Sequence, residues 1–137
     1  MKDIVKILLE VGKAILDVKG DLSQSQGTRK KDVSEFLSNI AASIEELSGS
    51  LKQDIYPSGS CEEIYQHSQN IVPAIGDLIG DDKATELSIK LQEIYEVEML
   101  YGELQNSSVQ EKSERLSLLD SAAGYFRATA AFVKVSP

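Results

Sequence analysis

The chain has 137 residues, 42% of them hydrophobic and 26% charged, with 22 acids against 14 lysines and arginines for a net charge of −8. That length suits one domain able to bury roughly two thirds of its unfolded surface, and the single cysteine excludes an internal disulfide. The acid excess excludes the basic face that nucleic acid requires, because the only basic run is Arg29-Lys30-Lys31.

Ile4, Leu8, Val11, Ile15 and Val18 recur at the spacing of one helix face, while Lys6, Glu10, Lys13 and Asp17 line another. This predicts a first helix over about 2–19. Val5, Ile7, Leu9, Ala14 and Leu16 widen its apolar side until only a narrow polar strip remains. Such a helix is either central in its bundle or offers apolar surface to something else. In the second case Ile4, Ile7, Leu8, Val11 and Ile15 form an interaction surface for a protein partner or a homodimer. Lys2, Lys6, Lys13 and Lys19 would assist it at a membrane surface.

Two glycines and a polar cluster make residues 19–28 a loop. Val33, Leu37, Ile40, Ile44, Leu47, Leu51 and Ile55 then repeat at alternating steps of four and three, predicting a second helix over 29–56 that stops before Pro57. Gly49 weakens its last third by about 1 kcal/mol relative to alanine. Arg29, Lys30 and Lys31 form either a solvated first turn or a docking patch for an acidic partner.

A third helix is predicted over 60–79, opened by a Ser60/Glu63 capping box and either kinked or split near Gln69 to Val72 by Pro73. Gly80-Asp81-Asp82 supplies a stop and a new cap before a fourth helix over 82–105. In that helix the apolar stripe must drift toward Val97, Leu100 and Leu104 for Glu98 to escape burial. A Ser108/Glu111 capping box opens a fifth helix over 108–134, whose alanines and Gly124 permit close helix approach.

No stretch alternates with the period of a strand, so the fold class is all-α: an elongated antiparallel up-and-down helical bundle of four to five helices, one domain over 1–137. No leader opens the chain and no apolar run approaches the ~20 residues that span a bilayer. A cytoplasmic protein is the expectation.

The stretch CEEIYQHS, residues 61–68, gathers the only cysteine and the only histidine beside two glutamates. A ferritin-type centre needs Glu-x-x-His on two helices, and Ile64 stands three residues before His67. A structural zinc site needs four cysteine or histidine ligands and finds two. A Cys-His nucleophile pair needs an electropositive setting that Glu62 and Glu63 oppose. Gly12-Lys13 lacks the spacing of a phosphate loop, and Asp77, Asp81 and Asp82 lack that of a calcium loop. The five tyrosines read as residues at the edge of the core. No catalytic, cofactor-binding or metal residue is therefore assigned, and the chain reads as a non-enzymatic interaction, adaptor or regulatory module. It would work through the first helix or through the acidic face of the third and fourth. The alternative is a membrane-acting signalling bundle using its amphipathic first helix; an enzyme without a recognisable motif is the third reading.

Overall fold

The computed structural model describes residues 3–137, so Lys2 lies outside the described residues. Helix α1, Ile4–Asp17, starts where the Asp3 carboxylate accepts the free amides of Val5 at 3.0 Å and Lys6 at 3.4 Å. A single turn, α2 (Lys19–Leu22), follows within the stretch predicted as a loop. Helix α3, Thr28–Lys52, ends four residues before the predicted Tyr56. Its stop is a Schellman motif: Asp54 takes a left-handed conformation at φ 59°, Asp54 N–H bonds Leu51 O at 3.1 Å and Ile55 N–H bonds Ser50 O at 2.9 Å. Ile55 therefore leaves the apolar stripe and is exposed.

Helix α4, Ser58–Ile79, begins directly behind Pro57, so the Ser60 capping box does not form. Ser60 is instead buried in the first turn, and the Glu63 carboxylate faces Ser43. The helix passes through Pro73 without splitting in two. Gly80, at φ 94° and ψ 136°, alone joins α4 to α5, Asp81–Leu91. No side chain caps α5, and Asp81 and Asp82 simply place negative charge at its amide end. The predicted fourth helix is divided: a 3-10 segment, Gln92–Glu96, separates α5 from α6, Val97–Gln105. Helix α7, Val109–Val135, opens with Ser108 Oγ accepting Glu111 N–H at 3.1 Å.

These helices form an all-α bundle. Helix α7, about 40 Å long at 1.5 Å per residue, is flanked by α3 on one side and α1 on the other; α4 packs between α3 and α5, and α5 also meets α1. The pairs α3/α7 and α3/α4 are antiparallel. Ser34 Oγ donates to Ala130 O at 2.9 Å and Lys52 reaches Asp120 at 3.0 Å on one seam, while Arg29 meets Asp77 and Ser43 meets Glu63 on the other. Helices α1 and α7 run parallel, since Asp3 pairs with Arg115 and Gly12 with Ala122 and Tyr125. Helices α1 and α3 are therefore antiparallel, and the residues between them pass over the C-terminal end of α7, where Lys19 lies over Phe132 and Lys30 reaches Ser136.

Gly12 explains the close fit of α1 on α7. A Cβ there would stand 3.1 Å from both Ala122 O and Tyr125 Cβ. Ala122, Ala123 and Ala130 are buried on the facing helix, so these small residues are consumed within the fold. Ile4, Leu8, Val11 and Ile15 are at most 1% exposed and Ile7 is partly buried against the core. The proposed interaction surface of the first helix is therefore corrected: its broad apolar side is broad because it is central. Lys6, Glu10, Lys13 and Asp17 form the outward strip as expected. No helix among the described residues is long and apolar enough to cross a membrane.

Candidate functional site

The cysteine and histidine of the 61–68 stretch do not form a reactive pair. Cys61 is completely buried, and burial pushes its thiol up to about 11, the reverse of what a thiolate nucleophile requires. His67 is half-buried and lies edge-on to Phe36, with ring centroids 6.0 Å apart. Burial lowers its pKa while the Glu63 charge pulls the other way. Ser43, on α3, sits between the two: its hydroxyl lies 2.8 Å from Glu63 Oε1, 3.3 Å from His67 Nε2 and 3.1 Å from the Asn39 carbonyl. A nucleophilic triad needs the carboxylate on the far nitrogen of the histidine. Here the carboxylate takes the serine directly, and Ser43 is 2% exposed. The group ties α3 to α4 instead.

The basic triplet is also spent internally. Arg29 forks onto both oxygens of Asp77 and donates to the Ala74 carbonyl at 3.2 Å, fastening α3 to the end of α4. Lys30 Nζ donates to the Ser136 carbonyl at 2.8 Å, behind α7. Only Lys31 points outward, beside Glu35 one turn on at 3.8 Å. Arg29 and Lys30 thus have acceptors far along the chain, while the Arg29 side chain stays 40% exposed.

Four of the five tyrosines, expected at the edge of the core, form two ring pairs there. Tyr56, in the turn after α3, meets Tyr101 of α6 edge-on with centroids 5.3 Å apart. Tyr65 of α4 meets Tyr95 of the 3-10 segment at 5.6 Å, tilted by 43°. Burial raises the pKa of Tyr56 first, with smaller upward pushes from Cys61, Glu98 and Tyr95, so Tyr95 of the second pair lies within electrostatic reach of Tyr56 in the first. Burial likewise leads the rise at Tyr95, followed by Glu62, Cys61 and Tyr65. Tyr56 is 36% and Tyr95 48% exposed, while Tyr65 and Tyr101 are half-buried on the core beneath.

The frame under these rings is fixed. Tyr101 Oη donates to the Asp54 carbonyl at 3.2 Å, and Lys112 of α7 reaches the Asp54 carboxylate at 2.6 Å, so the α3–α4 turn is fastened to two other helices. Glu98, the residue whose burial the sequence left in question, is exposed because the stripe runs through Val97, Leu100 and Leu104. The arrangement is a strip of aromatic rings within electrostatic reach of the exposed Glu62 and Glu98. It offers amphipathic contact area and negative charge without an acid-base constellation. Among the described residues no group of three histidine, cysteine, aspartate or glutamate side chains is placed to hold a metal ion. No family model matches this chain, and neither a curated protein nor a solved structure is significantly similar to it.

Proposed function

We propose that this protein is a non-enzymatic interaction module that docks a protein partner on the strip formed by Tyr56, Tyr65, Tyr95 and Tyr101. The observation that carries the reading is the convergence of four tyrosines from four separate segments onto one partly exposed face. Tyrosine is enriched at protein interfaces because its rigid ring supplies large contact area at low entropic cost and its hydroxyl stays hydrated or hydrogen-bonded. Rings held by a pinned turn and a packed helix lose little further freedom on binding, which favours affinity. Tyr65, Tyr95 and Tyr101 fall on the third and fourth predicted helices and Tyr56 at the end of the second; the first helix contributes none of the four.

The test is a binary complex reconstituted from the purified protein and its isolated partner. Tyr56→Ala and Tyr95→Ala, each checked for unchanged helicity, are expected to weaken the complex about tenfold or more, the range of interface aromatic anchors. Leu118→Ala, at an exposed leucine of α7, serves as the control. A complex weakened by Leu118→Ala and indifferent to both tyrosines overturns the reading.

A further inference from the structure

We infer that the occupant of this face is a cationic segment, an arginine- or lysine-bearing stretch of chain whose charged side chain enters the groove beside Tyr56. The inference rests on the tyrosine strip being a docking surface, and it adds the chemistry of what docks. Between the end of α3 and the start of α4 lies a groove of about 440 Å³ with Tyr56 on its wall and the carboxylates of Glu46 and Glu63 along it, and no lysine or arginine lines it. Tyr56 is common to groove and strip, so the two make one continuous surface.

The charges on that surface are uncompensated. Glu46 has no hydrogen-bond or ion-pair partner among the described residues. Glu63 commits Oε1 to Ser43, leaving its second oxygen for a donor. Glu62 and Glu98 are both exposed, and their charges act on Tyr95 and Tyr56 respectively. The one cation over an aromatic ring among the described residues is Lys19, 4.8 Å from the centre of Phe132, so the tyrosine faces carry no cation of the chain's own. Aromatic faces and carboxylates both attract a guanidinium or ammonium, and the guanidinium also stacks on the ring while forking onto a carboxylate. An acidic or neutral segment would meet four carboxylates with nothing to offset them. A second copy of this chain in a two-fold dimer would set the same carboxylates against themselves.

The experiment is an NMR titration of the ¹⁵N-labelled full chain with an acetylated, amidated peptide of alternating arginine and glycine, and with its glutamate and serine counterparts. The arginine peptide is expected to shift amides around Glu46, Tyr56, Glu62 and Tyr95, with an affinity that falls as salt rises. The pair Glu46→Gln with Glu62→Gln is expected to weaken it about tenfold, while Glu111→Gln with Glu114→Gln, which removes the same net charge from exposed α7, changes it less than twofold. Equal losses from both pairs, or equal binding of the glutamate peptide, overturn the inference. A reconstituted complex that needs Tyr56 and Tyr95 yet ignores Glu46→Gln with Glu62→Gln also overturns it, and leaves the docking surface standing.

Discussion

The single-residue joint at Gly80 sets the angle between α4 and α5, and the same chemical change made there and elsewhere has opposite expected signs. At φ 94° and ψ 136° Gly80 occupies a backbone region that L side chains rarely adopt, and a Cβ built there meets no atom within 4 Å. Gly80→Ala therefore tests backbone conformation without a clash, at an expected cost of about 1–3 kcal/mol. Gly124 is its counterpart: exposed in the interior of α7, at an ordinary helical conformation, and also open around its Cβ position. Gly124→Ala gains about 1 kcal/mol from helix propensity and lost unfolded-state entropy. With a urea m value of about 2 kcal/mol/M, the midpoint followed by far-ultraviolet circular dichroism should fall by about 1 M in the first variant and rise by about 0.5 M in the second. A Gly80→Ala midpoint equal to or above the parent, alongside the expected rise in Gly124→Ala, would show that the joint does not hold Gly80 in this conformation.

The buried Cys61 thiol, pushed up to about 11, should react with a disulfide reagent at pH 8 only as the chain unfolds, at least about a hundredfold slower than in urea; rapid labelling of the folded chain refutes its burial. Because burial lowers the His67 pKa from 6.5, the unfolded chain takes up a proton the folded one resists. The resulting stability is complete above about pH 6.5 and declines as pH falls toward the folded value. His67→Gln should flatten that decline between about pH 7 and 5, and a slope unchanged in the variant would assign it to other groups. Ser48 Oγ is buried without a hydrogen-bond partner among the described residues, so Ser48→Ala should raise stability by about 1 kcal/mol, read as a higher melting temperature; a lower one implies an unseen partner for the hydroxyl.

The apolar periods showed the helices plainly, and the polar strip of α1 lies where they put it. Some departures were also written in the chain. Leu91, Ile94, Val97 and Leu100 step by three, the period of a 3-10 helix, and all four are buried across the 3-10 segment; read against a constant α-helical turn, the same spacing shows only as drift. Other features depend on tertiary partners that no local period encodes. Arg29 finds Asp77 at a separation of 48 residues, and Tyr56 reaches its ring partner only because a left-handed Asp54 folds the chain toward α6. Tyr95, Glu98 and Tyr101 also step by three, so half the tyrosine strip was visible as a stripe. Which stripe of α4 would lie beside it was not, since periodicity gives a helix its buried face and leaves the neighbour unnamed.

The broad apolar side of α1 was open to two readings, and energy separates them. Ile4, Val5, Leu8, Val11 and Ile15 are at most 2% exposed, and each such side chain contributes about 1.5–3 kcal/mol by burial. Lifting all five into water costs about 10 kcal/mol, comparable with the entire stability of a domain this size. Release of α1 to a membrane would therefore amount to unfolding the bundle, and the interfacial helix would have to return nearly all of that free energy. Amide hydrogen exchange measures the quantity directly. The α1 amides should open with the free energy of global unfolding, together with the buried centre of α7. If they exchange several kcal/mol more readily than α7, the helix detaches on its own and the membrane-acting alternative regains its footing.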